Sequence, residues 1–411
     1  MKKRLVLLLS SILLLVNISG GCHVKYIQPL KTDFIDNIET KVPDSEFIMA
    51  TSDYALTLFK AAVEPEHNVM ISPLSLMWAL AMTTNGAVGQ TKKELEALLR
   101  CGDINELNKY LAGLLDATFA EQQLKIANSL WIIDRADIVV MPDFLQTVLN
   151  YYNAEIFQEK FDEATLQAVN KWVKDKTKGM IPQVLNELDP ETVMLLINAV
   201  AFEATWAVAY DKSQIAPGIF HNIKGEEEDV EYMYATENYF IEDGQATGFI
   251  KHYQDNDYAF VALLPNEGVA ISDYIAQLQG TELIKMLSNR EQVDVRTVIP
   301  KFQYETTVDM TSILKQLGVE TAFDPDAADF SGLLDCSKSD NAYISEVIHK
   351  TFIAVDELGT KAGAATVVVI NTKAALPQKE YEVVLNRPFL YLIIDTTSNL
   401  PLFIGTVLTS E

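Results

Sequence analysis

Cysteine is scarce in this chain: 3 in 411 residues, at Cys22, Cys101 and Cys336. So few, at no regular spacing, cannot form a disulfide framework, and without a Cys-x-x-Cys pair they do not suggest a metal site. Histidine is nearly as rare, with 5 residues (His23, His67, His221, His252 and His349) that form no cluster. Neither a metal nor a cofactor is expected. None of these histidines sits in a recognisable catalytic motif, and no Gly-x-Ser-x-Gly elbow occurs, which argues against a hydrolase. Basic residues are outnumbered as well, 32 Lys and Arg against 57 Asp and Glu, for a formal charge of -25. Such an acidic surface repels nucleic acid and anionic polysaccharide unless a local basic patch intervenes. The densest candidate, Lys171, Lys174, Lys176 and Lys178, is interleaved with Asp175 and reads as a solvated helix face. No nucleic-acid partner is expected. The charge favours solubility and attraction of cationic proteins.

Long apolar runs are confined to the first residues. Met-Lys-Lys-Arg is followed by an apolar stretch from Leu5 to Val16 and then by Ser19-Gly20-Gly21-Cys22. A basic start, a short apolar core and small residues before a cut site describe an export signal over residues 1–21. A spanning helix needs roughly 20 apolar residues, and Asn17 and Ser19 interrupt this one. Cys22 after small residues resembles the bacterial lipoprotein signal, in which that cysteine is lipidated and becomes the new N-terminus. Ser19 stands where Leu or Val is usual, so plain secretion is the alternative. The expected location is therefore the cell surface, through an N-terminal lipid in the membrane, or the medium. Residues 22–44 are polar and aperiodic and read as a tether.

What remains is rich enough to fold. Hydrophobic residues make up 49% of the chain, and no linker rich in Gly, Pro or Ser interrupts Ser45 to Glu411. One large domain over 45–411 is expected. Ser52 to Ala62 has the pattern of an amphipathic helix, and Ser72-Pro73 opens another, with serine capping and proline at the first position. Thr91 with Glu94 three residues on has the form of a capping box. Ala168 to Lys178 reads as helix. Met194 to Phe202, Val293 to Tyr304 (broken by Pro300), Leu390 to Ile394 and Leu402 to Val407 read as strands. Helices and strands mix without a βαβ rhythm, so the class is α+β.

The most informative stretch is Glu357-Leu-Gly-Thr-Lys-Ala-Gly-Ala-Ala-Thr-Val-Val-Val-Ile370. Thr360, Ala362, Ala364, Thr366, Val368 and Ile370 share one side of a period-two pattern and are all small or β-branched. Gly359 and Gly363 favour flexibility and weaken a resident strand. The segment reads as a strand in waiting, held outside a sheet but able to enter one. It resembles the hinge of the serpins, usually Glu-Glu-Gly-Thr-Glu-Ala-Ala-Ala-Ala-Thr. Leu358 and Lys361 depart from that form; Lys361 lies on the face opposite the small residues, where it can stay in solvent, and Ala365 and Thr366 match the form.

Further blocks carry the resemblance across nearly all of Ser45 to Glu411. They are Asn68-Val-Met-Ile-Ser-Pro-Leu-Ser75 with Asn85-Gly-Ala-Val-Gly-Gln-Thr91, and Asn170-Lys-Trp-Val-Lys-Asp-Lys-Thr177. Leu196-Ile-Asn-Ala-Val-Ala-Phe202 with Trp206 follows, then Ile299-Pro-Lys-Phe302, which leads to Leu317-Gly-Val-Glu-Thr-Ala-Phe323 and Ala328-Asp-Phe-Ser-Gly332. Ile344-Ser-Glu-Val-Ile-His-Lys350 and Asn386-Arg-Pro-Phe389 complete the set, all in the family's order.

The resemblance implies a single serpin domain with about nine helices and a central, mostly antiparallel five-stranded sheet. Further sheets and an exposed reactive-centre loop over about 357–385 complete it, in a monomer. It implies that Ser72, Ser75, Asn198 and His349 form the polar cluster beneath the point where that sheet parts. Trp206 matches the aromatic at the top of the sheet, and Lys301 with Glu357 matches the ion pair at the hinge base. It also implies an irreversible inhibitor of serine proteases, not an enzyme. Counting 17 residues with Glu357 as the first places the cleaved bond at Lys373-Ala374. Lysine there suits a trypsin-like pocket. Lys379 is a second basic candidate, and cleavage after Thr372 or Ala374 by an elastase- or subtilisin-like enzyme is a third. The rival reading is a non-inhibitory serpin that binds or supports. Charge or proline on the inserting face would signal it, and neither occurs there from Thr360 to Ile370.

Overall fold

The computed structural model describes residues 28–31, 38–118, 123–152, 154–188, 192–335, 342–360 and 381–410. The signal segment, Cys22, Cys336, the hinge residues Ala362, Gly363, Ala364, Ala365 and Thr366, and the bond Lys373-Ala374 lie outside them. Nine α-helices and two large sheets make up the described residues, an α+β architecture.

Helix α1 (Ser45–Ala62) starts earlier than its apolar pattern suggests, because Asp44 caps it through the amide of Phe47 at 2.9 Å. Helix α2 (Pro73–Thr84) is buried at every position, as expected of a helix apolar on nearly every side. Its N-cap, Ser72, makes no side-chain capping bond. Helix α3 (Gly89–Leu99) corrects the expected capping box. It begins at Gly89 behind Val88, which leaves Thr91 and Glu94 too deep in the helix to cap it. Thr91 Oγ1 instead accepts the Asp329 amide at 3.0 Å, and Glu94 accepts the amides of Glu320 and Thr321 at 2.9 and 2.8 Å. These two side chains fasten a distant loop. The helix expected from Ala168 runs Glu163–Lys176, started by the Asp162 cap on Thr165.

The central sheet has five long strands: β1 (Leu124–Ile133), β2 (Glu155–Glu159), β3 (Met194–Phe202), β5 (Phe302–Asp309) and β6 (Glu346–Val355). Two short ones, β4 (Ala204–Thr205) and β7 (Gly359–Thr360), join at its upper end. The order is β2-β1-β3-β6-β5, with β7 beside the end of β6 and β4 beside β7. Four of the six pairings are antiparallel; β1–β2 and β3–β6 are parallel. Every residue of β3 is buried because both faces are covered. Leu195, Ile197 and Ala199 pack with Trp131, Phe157, Val169 and Val173 beneath the helix Glu163–Lys176. Met194, Leu196, Val200 and Phe202 belong to the main core on the other face.

The second sheet runs from Met70–Ile71 through Pro401–Val407, Phe389–Asp395, Tyr258–Pro265, Ala246–His252, Glu227–Glu242 and Glu291–Pro300 to Tyr381–Val384. The strand Ile215–His221 pairs with Glu227–Glu242. Helix α2 touches both β3 and Pro401–Val407, and so fills the space between the sheets. The run Val293 to Tyr304 is two strands in two sheets, changing over at Lys301 directly after Pro300. Proline lacks the amide a continuing ladder would need. The change of sheet leaves Lys301 at the corner where the hinge begins.

Parts of the expected tether touch the domain. The Leu30 amide donates to Ile156 O of β2 at 2.7 Å and the Lys41 amide to Lys109 O at 2.9 Å. A side chain on Gly113 would begin 2.1 Å from Lys41 O, so only glycine permits that approach.

Candidate functional site at the upper end of the central sheet

Asn128, Asn198 and His349 lie at one level on β1, β3 and β6, in register with one another. Asn198 Nδ2 donates to Ser75 Oγ and Asn128 Oδ1, both at 2.5 Å, and reaches Ser75 O at 3.2 Å. The Ser72 amide donates to His349 Nε2 at 2.9 Å, which makes Nε2 the unprotonated nitrogen. Nδ1 therefore carries the proton and donates it to Asn198 Oδ1 at 2.6 Å. Burial holds the imidazole neutral, its pKa pushed down to about 3. Ser72, Ser75, Asn198 and His349 are thus brought together across α2, β3 and β6, Ser72 through its backbone. Asn128 is a member the motifs did not single out. Its pairing opposite Asn198 appears only once β1 and β3 are in register.

At the upper end of the sheet, Asp356 turns the chain from β6 into β7. Its carboxylate accepts the amides of Leu358 and Gly359 at 2.8 and 3.1 Å, and its own amide donates to Gly359 O at 2.9 Å. Aspartate before a glycine three residues on is a turn signature that could have been read from sequence. The short loop after β4 clamps this turn. Trp206 Nε1 donates to Asp356 O at 2.8 Å, while the amides of Trp206 and Tyr210 donate to Leu358 O and Glu357 O, each at 2.9 Å. Trp206 is stacked on Tyr253 with ring centroids 4.6 Å apart. Lys301 Nζ lies 2.8 Å from Glu357 and 3.1 Å from Glu231. Burial opposes the charge on Lys301, but the two carboxylates outweigh it and its pKa is raised. The Lys301 hydrogen bond lowers that of Glu357.

The expectation that the whole hinge segment waits outside the sheet needs correction at its start. Gly359 and Thr360 are already paired, Thr360 with Val355 and Ala204, Gly359 with Thr205. Thr360 is fully buried, and its Oγ1 lies 2.6 Å from the Tyr253 hydroxyl. A side chain on Gly359 would begin 2.1 Å from Ala204 O, so glycine is required here for close approach more than for flexibility.

Comparison with known proteins identifies the family. Residues 49–410 match the family described as serpin (serine protease inhibitor). The chain belongs to the serpin family. It is 30% identical to human Serpin B8 over 87% of this chain and 97% of that protein. It is 29% identical to leukocyte elastase inhibitor A of Rattus norvegicus over 87% of this chain and 98% of that one. Among solved structures, the thermophilic serpin tengpin in its native state is similar with a TM-score of 0.87 and 46% identity, over 92% of this chain and 97% of that one. The latent state of tengpin gives a TM-score of 0.79 and 43% identity, over 90% of this chain and 100% of that one. Relatives of this chain include protease inhibitors, and serpins as a family inhibit proteases and are generally not catalytic.

Proposed function

We propose that this protein is a suicide-substrate inhibitor of serine endopeptidases, trapping its target by moving the hinge segment into the seam between β3 and β6. The observation that carries this reading is β7. It runs antiparallel to both β6 and β4, and β4 continues the line of β3. Extending β7 downward inserts a strand antiparallel to both sides of a seam now closed by the parallel pair Leu195↔Glu346 to Ala201↔Phe352. The small and β-branched set Ala362, Ala364, Thr366, Val368 and Ile370 then follows Thr360 onto the buried face.

Insertion doubles the β3–β6 spacing from about 4.8 Å. The Asn198–His349 hydrogen bond must then break. The polar cluster thus resists early parting, and the new strand returns backbone hydrogen bonds worth about 0.5–1.5 kcal/mol each. Before cleavage, attachment at both ends holds the loop back. Attack on Lys373 forms an acyl-enzyme, the Lys373-Ala374 bond breaks, and the freed end enters the sheet before water releases the protease. Serpin loop insertion is itself a standard example of stored strain released on cleavage.

Lysine at 373 favours a trypsin-like target, with subtilisin- or elastase-like enzymes next. The signal segment and Cys22 support export with a lipid anchor at the cell surface. The test is incubation with trypsin followed by denaturing electrophoresis. A complex stable to denaturant is expected; complete conversion to cleaved protein without one supports the binding or structural reading instead.

A further inference from the structure

Behind the clamp lies a charged pair that the mechanism above does not use. Lys251, on the strand Ala246–His252, has only 3% of its side chain exposed, and Glu237 on the neighbouring strand has 13%. The Lys251 ammonium donates to Glu237 Oε1 at 2.7 Å and to Val208 O at 3.3 Å. It also lies 4.4 Å from the Tyr210 ring centroid and 5.2 Å from that of Trp206. A buried ion pair is a weak device for stability, since apolar residues of similar size often serve as well. Its partners indicate a local purpose. Apart from Glu237, they all belong to the stretch 206–210, the same stretch whose two amides and indole hold Asp356, Glu357 and Leu358. One ammonium fixes the carbonyl in the middle of that stretch and lies against the rings at both its ends.

We propose that the Lys251–Glu237 pair positions the 206–210 loop as the clamp on the hinge base, and thereby sets how fast the freed segment enters the sheet relative to deacylation. The proposal rests on the inhibitory reading. The turn Asp356–Leu358 is the fixed point from which the new strand extends, so a loose clamp lets the acyl-enzyme hydrolyse before insertion is complete. Lys251 and Glu237 are positioning residues. Their hydrogen bonds and ring contacts are to each other and to the 206–210 loop.

Two variants separate this from a packing role. Lys251→Met keeps most of the unbranched stem and removes the charge. Lys251→Met with Glu237→Leu also removes the stranded carboxylate and restores an apolar interior. Each is compared with wild type for melting temperature, amide hydrogen exchange at Trp206 and Tyr210, and stoichiometry of inhibition against trypsin, or elastase if wild type traps that instead. Loss of a charge-assisted hydrogen bond is expected to speed exchange at both amides about tenfold in both variants. Stoichiometry should rise several-fold while the cleavage rate of the loop stays the same. The double variant should regain the wild-type melting temperature yet keep the raised stoichiometry and fast exchange, because Val208 O still lacks its donor. If it regains all three, the pair only packs and the proposal is overturned. Unchanged exchange in either variant overturns it as well. Should Lys251→Met fail to fold, the double variant decides alone. Should wild type trap neither protease, the inhibitory reading fails, and the exchange rates still decide whether the pair holds the clamp.

Discussion

The hydroxyl of Tyr253 lies 2.6 Å from Oγ1 of Thr360, and both side chains are fully buried. Thr360 therefore has a partner and a place in the sheet before any protease arrives. Tyr253 is itself stacked on Trp206, so the first inserted residue and the clamp share one wall. On the proposed mechanism, insertion extends a strand already begun at Gly359–Thr360. The unfavourable first step of ordering a hinge from solvent is reduced.

Thr360→Arg should consequently affect the uncleaved protein as well as the trap. Burying an unpaired guanidinium costs several kcal/mol, so Gly359 and Thr360 should leave the sheet. Hydrogen exchange at Thr360 is expected to rise in the uncleaved protein. The variant should be cleaved at the normal bond and form no denaturant-resistant complex. Trapping at wild-type stoichiometry would show that inhibition does not run through this strand. Thr360→Val should be milder, leaving the Tyr253 hydroxyl unpaired at a cost of about 1–3 kcal/mol.

His349 predicts a pH dependence of known sign. Its folded pKa is depressed to about 3 by burial, while the unfolded chain takes up that proton near the ordinary histidine value. Below about pH 6.5 the unfolded state therefore binds more protons, and stability falls by up to about 1.4 kcal/mol per pH unit until about pH 3. Above pH 6.5 the residue contributes no slope. Urea unfolding at pH 7 and pH 5 should show about 2 kcal/mol more acid loss in wild type than in His349→Gln. Equal losses would show that the imidazole is not held neutral.

Lys373→Glu should abolish trapping of a trypsin-like enzyme without altering the melting temperature, since the family resemblance implies an exposed loop there and a change at an exposed site is usually within about 0.5 kcal/mol. Mass spectrometry of the released fragment from wild type should show an N-terminus at Ala374. A fragment beginning at Glu380 would move the bait to Lys379, and one beginning at Lys373 or Ala375 would point to an elastase- or subtilisin-like target.

Cys22→Ser should shift the protein from the membrane fraction to the medium. One acyl chain anchors only marginally, so stable attachment of wild type requires more than one. If wild type is already soluble outside the cell, the signal is an ordinary secretory one.

The motifs made the family legible, and with it the level at which polar residues gather and the corner at which Lys301 meets Glu357. Elements with both faces covered were also plain, because β3 and α2 carry apolar residues on every side of most of their length. Boundaries set by caps were less so: Asp44 and Asp162 extend helices beyond their apolar patterns. Thr91 and Glu94 misled, since the same residue types that cap a helix also serve distant loops.

Sequence alone determined which residues are able to line an inserted strand, because a period-two set of small side chains from Thr360 to Ile370 is a local property. Tertiary structure alone decided that this strand has already begun at Gly359, since the requirement for glycine comes from Ala204 O, a long way off in the chain. The tautomer of His349 was likewise undetermined until Ser72 and Asn198 stood on either side of it. Lys251 read as one lysine among 32 Lys and Arg. Only the packing of two strands and a loop around it removes it from water and ties its charge to the 206–210 loop. Hydrogen-bond partners far apart in sequence leave no periodic trace, so these features belong to the fold.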